Sequence, residues 1–423
     1  MGWEFTLPVL RYGNRFRKHR RMMQQHLGHQ AVTSFRPMQE DQVRKFLGHL
    51  LAKPDNFISH IHRLVAGMII LITYGHEVES DDDALAGLVE RVMYMTASAG
   101  SVGTTLMDLL PILRHIPAWV PGMGLKRLAL EIRQVVDKVM VVPFSEVKEE
   151  KASGTARPSI VANLLDEYEE MNVVDHEHEE DIMVFGMTIY SAGIDTTKST
   201  MTTFFMMMTL YPEVVKRAQA EIDSVIGTDR LPALEDRRRL PYIDCILREL
   251  YRIQPPLPLG FPHSSTRTED YRGWTIPNGS MAIANIWQMM RDEKVFPDPD
   301  MFSPERHINR MTAKREFALD GDGEYIDDDS DLTVEEDPSS IVFGFGRRVC
   351  PGKFFVDTVL WMTMAKVLAS FDIKPYIDPV TKLEELPLFE FENDAICYPK
   401  PFKCTIVPRS AKHSQMIQAE VRE

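Results

Sequence analysis

The stretch from Phe343 to Gly352, Phe-Gly-Phe-Gly-Arg-Arg-Val-Cys-Pro-Gly, constrains this chain more than any other. Glycines at 344, 346 and 352 let the backbone turn sharply and approach something flat, because no Cβ stands in the way. Directly after it, Phe354 to Leu368 is apolar with a helical period, so Cys350 lies just before a helix N-terminus. There the macrodipole and the unsatisfied N–H groups favour the thiolate over the thiol. A thiolate held against a flat cofactor points to haem iron. A single cysteine taken without this context has a second reading, a buried structural thiol.

The rest of the composition sets limits. No Gly/Ser-rich or Pro-rich linker divides the 423 residues, so one large domain over 1–423 is expected. With 44% hydrophobic and 26% charged residues the chain can bury a substantial core. Cys245, Cys350, Cys397 and Cys404 show no paired spacing, which favours a reducing compartment. A net charge of -14 argues against a nucleic-acid partner. No stretch reaches the roughly 18 uncharged apolar residues of a membrane span; the best is Ile182 to Ile194, interrupted by Ser191 and Gly193.

The ten-residue stretch resembles the haem-binding signature of the cytochromes P-450, Phe-x-x-Gly-x-Arg-x-Cys-x-Gly, at Phe343, Gly346, Arg348, Cys350 and Gly352. The resemblance implies that Cys350 is the axial ligand of haem b, that Arg348 neutralises a haem propionate and that Phe343 shields the sulfur. Three further motifs follow in family order. Tyr12 to Leu27 reads as a cation-rich helix whose own pattern suits a solvated face. It also resembles the family's helix C, which implies that Arg20 holds a propionate. Phe16 replaces the family's Trp and removes an indole donor. The same basic surface is implied to dock an NADPH-dependent reductase, where charge complementarity speeds encounter.

The longest helix is expected from about Glu179 to Leu210, roughly 45 to 50 Å at 1.5 Å per residue. Small residues at Ala192 and Gly193 open a groove, and Thr196 can bond back to the carbonyl of residue 192 and loosen the helix there. Alone, Ala-Gly beside Asp-Thr is a weak motif; with the cysteine loop it resembles helix I. Asp195 and Thr196 are then implied to be the acid and alcohol that relay protons toward dioxygen. Glu249 and Arg252, three apart, share a helical face. With Arg306 downstream they resemble the family's Glu-x-x-Arg triad, a structural salt-bridge network. His263 stands where the family often binds a propionate. Arg291-Asp292 replaces a frequent His-Asp. Ile189, Ala192, Leu257 and Leu259 are the implied substrate lining.

Phe57 to Tyr74 reads as a core helix, and Ala84 to Ser98 and Leu125 to Val142 as two more. The segment between these two, with Pro111, Pro117, Trp119 and Pro121, suits either an interfacial lid or a buried loop. Lys148 to Pro158 reads as an exposed loop. A hairpin is expected from Tyr271 to Ile286, turning at Pro277-Asn278-Gly279, and strands within Phe371 to Arg409, with Ala395 to Cys397 at a hairpin tip near the substrate. Asp320 to Asp337 holds ten acidic residues in eighteen; a calcium loop would need Glu at its twelfth position, which is Asp331, so a solvated insertion is expected.

The resemblance covers Arg11 to Arg409 and implies a mainly α-helical haem-thiolate fold with small β-sheets. Its first element here, near helix C, normally lies well inside the family's proteins. An N-terminal anchor and the first part of the catalytic domain are therefore expected to precede Met1, with the full-length protein on the cytosolic face of the endoplasmic reticulum. The implied activity is monooxygenation: one atom of O2 enters a small apolar substrate, with fungal secondary metabolism or oxidation of foreign compounds as the setting. A haem-thiolate isomerase or dehydratase is the alternative within enzymes, which the intact Asp195 and Thr196 oppose. An inactive haem-binding remnant is the alternative outside them.

Overall fold

The computed structural model describes residues 1–80, 82–99, 110–171, 176–308, 337–392 and 394–422. The expected acidic insertion lies outside them from Asp320 to Glu336, as does Leu109 before the proline- and tryptophan-containing segment. The described residues form two compact units. Met1–Phe46, Asn56–Lys198 and Phe354–Val356 make the first, and Leu47–Asp55, Ser199–Lys353 and Asp357–Glu423 the second.

The first unit is helical. It holds α1 (Asn14–Leu27), the start of α2 (Arg36–Ala52), α3 (Phe57–Tyr74), α4 (Ala84–Ser98), α5 (Gly124–Ser153), α6 (Ile160–Glu170) and most of α7 (His176–Leu210). The apolar run of α3 buries Ile61, Leu64 and Ile70, and Gly75, at φ 78°, ends it. The segment Pro54–Tyr74 is long and apolar enough to cross a membrane by composition, although the sequence reading put Ile182 to Ile194 first. It is 72% buried here, as a core helix is. Its run carries His60, His62 and Arg63, so it is not an uncharged apolar stretch. Helix α7 lies backbone-close to its neighbours: a Cβ at Gly186 would stand 2.9 Å from the Tyr74 hydroxyl and 3.1 Å from Val161.

One boundary and one helix differ from expectation. Helix α5 passes through Pro143 and ends only at Ser153, so the exposed loop is reduced to Gly154–Pro158. An interior proline removes a donor and costs about 3 kcal/mol, but Val139, Pro143, Phe144 and Val147 are all buried and offset that loss. Helix α6 was not anticipated; Ser159 caps it by accepting from the Ala162 N–H at 3.2 Å.

The second unit begins its own helices with α8 (Pro212–Val225) and α9 (Pro241–Ile253). Four short strands follow: β1 (His263–Ser264), β2 (Glu269–Tyr271), β3 (Trp274–Ile276) and β4 (Met281–Ala282), with β1 antiparallel to β4 and β2 to β3. The hairpin therefore turns at Arg272-Gly273, not at Pro277-Asn278-Gly279. Both central residues have positive φ, 49° and 84°, which matches the right-handed twist of the flanking strands. Pro277–Ser280 is a separate turn between β3 and β4, closed by Ser280 N–H to Pro277 C=O at 3.1 Å.

After α10 (Ile286–Met289) come α11 (Pro338–Val342) and α12 (Lys353–Ser370). Strand β5 (Phe371–Ile377) is then flanked by β6 (Glu384–Glu385) and β7 (Cys404–Pro408), both antiparallel to it. A closing helix, α13 (Ala411–Arg422), was not foreseen. Its Ile417 is completely buried, and Val421 lies against Gly48, where an added Cβ would come within 2.9 Å. Arg409, just before it, pairs with both oxygens of Asp223 at 2.9 and 2.6 Å.

Candidate active site

Helix α11 starts on the Asp337 cap, whose Oδ1 accepts from Ser339 N–H at 3.0 Å, and its end delivers the chain to Phe343. The backbone then reverses through Gly344 at φ 76° and Gly346 at φ 57°, conformations that side-chain-bearing residues rarely adopt. Gly352, at φ -85°, does not need that freedom. The reversal closes when Cys350 N–H donates to Phe343 C=O at 2.8 Å. Cys350 thus stands three residues before α12, at the positive end of its dipole.

Among the four cysteines, Cys350 alone is not buried. Burial pushes the thiols of Cys245 and Cys404 up to about 12 and raises that of Cys397, so these three are held as inert thiols. Partial burial pulls the Arg348 guanidinium below its ordinary range. A Cβ added at Gly344 or Gly346 would meet nothing within 4 Å, so this loop face has room beside it. A thiolate donor, a partly desolvated cation and an open backbone face suit a flat, anionic metal macrocycle such as haem.

In the same unit, α9 buries almost every residue, including Glu249 and Arg252, both with no exposed side-chain surface. Arg252 donates to the two Glu249 oxygens at 2.8 Å each, and to the carbonyls of Met290, Pro299 and Met301 at 3.1, 2.7 and 2.9 Å. Arg306 Nε reaches Glu249 Oε1 at 3.1 Å. Two contacts were missed by sequence reasoning: His307 Nε2 lies 2.9 Å from Glu249 Oε2, and Ser303 N–H donates to Oε1 at 2.8 Å. The adjacent Arg306-His307 pair was the available signal. Burial pushes the Glu249 pKa up, but His307 and Arg252 outweigh it and the carboxylate is held below its usual range. On the same helix, Tyr251 meets the ring of Phe343 in the cysteine loop edge-on at 5.3 Å. Arg291 is buried; it donates to Ile253 C=O at 2.7 Å and stacks on Trp287 at 4.2 Å.

Within the first unit, α7 carries Ile189, Ala192, Asp195 and Thr196. Thr196 Oγ1 donates to Ala192 C=O at 3.1 Å, and Thr188, Ser191 and Thr197 bond back in the same way at 2.7, 2.8 and 2.7 Å. The expected groove is open only at Ala192, which is exposed. At Gly193 it is filled: a Cβ there would stand 2.8 Å from Ile69 Cδ1, so this glycine serves packing against α3. Asp195 and Thr196 are half-buried and Ile189 is buried. In the second unit Leu257 is half-buried, Leu259 exposed, and His263 pairs with Ala282 in β1. Cys397, near the expected hairpin tip, donates its N–H to Pro256 C=O at 2.9 Å and accepts from Ser199 Oγ.

The cation-rich face of α1 is not the uniformly solvated surface that its charges suggested. Arg20 is half-buried, and Phe16, in place of a tryptophan, is buried with its ring 5.5 Å from that of Tyr12. Arg15, Lys18 and His19 turn inward onto Asp181 of α7 at 3.1, 2.6 and 2.7 Å. Burial raises the Asp181 pKa, but His19 and Lys18 outweigh it and hold the carboxylate far below its usual range. A depressed carboxylate adds stability above its unfolded pKa of about 3.9, and that stability is lost as pH falls further toward the folded value. Asp181→Asn is therefore expected to cost about 1 to 3 kcal/mol at neutral pH, the partners being partly exposed. The melting-temperature gap to the unaltered protein should narrow below about pH 4; a gap independent of pH would contradict the pairing.

Comparison with known proteins completes the picture. The family model described as Cytochrome P-450 matches residues 2–403. Cytochrome P-450 monooxygenase 176 of Postia placenta is 38% identical over 417 residues, covering 98% of this chain and 76% of that one. Cytochrome P-450 monooxygenase claR of Ampulloclitocybe clavipes is 36% identical over 421 residues, covering 99% and 74%. A zebra fish cytochrome P-450 structure with abiraterone has a TM-score of 0.69 at 21% identity and covers 96% of this chain and 85% of its own; it bears on the fold alone.

Proposed function

The chain belongs to the cytochrome P-450 family, and from that premise we propose that Cys350 ligates the haem iron of a monooxygenase acting on a small apolar substrate. The family makes the protein a haem-dependent oxidoreductase; bound haem, supplied with electrons, activates dioxygen so that one oxygen atom can enter an organic molecule. The single observation that carries the residue assignment is the Cys350 loop. Cys350 stands just before a helix N-terminus, in one loop with the open positions Gly344 and Gly346 and the partly buried Arg348. Phe343, Gly346 and Gly352 shape the loop, and Arg348, His263 and Arg20 are assigned to the propionates.

Asp195 and Thr196 are assigned to proton delivery. The Thr196 hydroxyl donates to the Ala192 carbonyl, and a hydroxyl held in this way next to Asp195 is the type of group that can hand a proton onward while limiting bulk water. Where Ile189, Ala192, Leu257 and Leu259 would face a substrate they offer only hydrocarbon, which supports an apolar molecule of modest size. Oxidation in fungal secondary metabolism or of foreign compounds suits such a site.

The same reading draws electrons from NADPH through a reductase that meets the basic side of α1, where Arg17 and Arg21 remain exposed. The exposed apolar Ile112 and Trp119, 74% and 79% exposed, support contact with a membrane surface, and by family analogy that surface is the cytosolic face of the endoplasmic reticulum. The carbon monoxide difference spectrum of the dithionite-reduced protein tests the assignment: a red-shifted Soret band is expected, and an unshifted band would overturn it. For the relay, Thr196→Ala is expected to raise peroxide release relative to product, as loss of a proton-delivering group would. Unchanged coupling of NADPH consumption to product would remove Thr196 from that role.

A further inference from the structure

A second ion network lies in the same unit as Cys350, apart from Glu249 and its partners. Arg237 donates from Nη1 to Asp357 Oδ2 at 2.6 Å and from Nη2 to Asp244 Oδ1 at 2.6 Å. Arg248 reaches the same Asp244 oxygen at 3.4 Å and pairs through Nε with Asp337 at 3.5 Å. Asp244 occupies the first turn of α9, where the helix dipole favours a carboxylate, and α9 is held by burial along nearly its whole length. All four of Arg237, Asp244, Arg248 and Asp337 keep 15% or less of their side-chain surface exposed.

The two outer members bracket the cysteine loop. Asp337 caps α11, which leads into Phe343, and Asp357 lies in α12, seven residues beyond Cys350. Between them backbone bonds set the turn, with Cys350 N–H on Phe343 C=O at 2.8 Å and Val349 N–H on Gly346 C=O at 3.2 Å, while Gly344 and Gly346 contribute no side chain to hold it against its surroundings. Arg237 also lies over the Trp361 ring at 5.6 Å, which anchors the middle of α12 to the same cation. A ligand atom must be held to about half an ångström by its supporting residues. We propose that Arg237, Asp244 and Arg248 form a positioning clamp that ties both flanks of the loop, through Asp337 and Asp357, to α9 and so sets where the Cys350 sulfur stands. This rests on the reading of Cys350 as a thiolate ligand.

The test uses Asp357→Asn in the full chain. In haem-free protein, alkylation of Cys350, followed by peptide mass spectrometry, is expected to run about tenfold faster than in the unaltered chain, the ratio that 1.4 kcal/mol of local order represents. Cys245, completely buried in α9, is the internal reference and should not change. In haem-loaded protein the red-shifted carbon monoxide band is expected to convert to the unshifted form about tenfold faster, on the same conversion. Asp357→Glu should restore both. Asp223→Asn, which breaks the Arg409 pair elsewhere in the unit, should lower the melting temperature and move neither reading. Alkylation of Cys350 at the original rate, or Cys350 and Cys245 accelerating together, would overturn the clamp. An unaltered chain that alkylates as expected but never shows a red-shifted band would instead overturn the ligand assignment.

Discussion

Glu249→Gln is expected to destabilise the protein by about 3 to 5 kcal/mol, because it leaves the fully buried Arg252 without its countercharge. Domains of this kind have roughly 5 to 15 kcal/mol in total, so the variant should sit close to its unfolding threshold. The amide is nearly isosteric with the carboxylate, so packing is preserved and the loss reports charge. Glutamine also turns an NH2 donor toward Arg252, Arg306 or His307, where the carboxylate accepted from all three sides. Urea unfolding should show a lower midpoint with the slope unchanged. A loss below about 1 kcal/mol would mean that Glu249 is not the charge on which the network depends. Arg252→Lys should fare little better: five contacts, two to Glu249 and three to carbonyls, use the planar fork of donors that lysine lacks.

Cys350→Ser separates function from fold in the opposite direction. The residue is only half-buried and the hydroxyl is close in size, so the stability change should stay within about 1 kcal/mol. The red-shifted carbon monoxide band and oxygen insertion should both vanish, since an alkoxide is not formed at neutral pH and the soft sulfur donor is gone. Retention of that band would require another thiolate. Cys245, Cys397 and Cys404 are poor candidates, because burial holds each of them as the thiol.

Local patterns were the legible part of this sequence. Helices α3 and α4 were readable to their ends, because an apolar run bounded by Gly75 in one case and capped by Asp83 in the other leaves little choice. The Thr196 back-bond to residue 192 was also readable, being a contact within one helical turn. What escaped depends on partners distant in the chain. The helix expected to end at Val142 continues through Pro143 because the residues around that proline are buried. Gly193 looked like an opening until Ile69 was found in it. The cations of α1 looked solvated because Asp181, which three of them face, is over 160 residues away in sequence. His307 joins Glu249 across 58 residues, and spacing alone could not distinguish it from its neighbour Arg306. The hairpin was misplaced for a different reason: Asn-Gly carries a stronger statistical preference than Arg-Gly, yet the register of β2 and β3 puts the two-residue link at Arg272-Gly273.

The family model's match ends at residue 403, one position before β7 begins. Drawn there, the boundary would remove the strand that pairs with β5 along five residues, from Phe371 opposite Pro408 to Pro375 opposite Cys404. It would also uncover the hydrocarbon that Ile417 seals and release the clasp of Arg409 on Asp223. Residues 404–422 are thus a keystone laid after the arch: truncation at residue 403 should cost β5 its partner all at once, as an unzipping and not a gradual fraying.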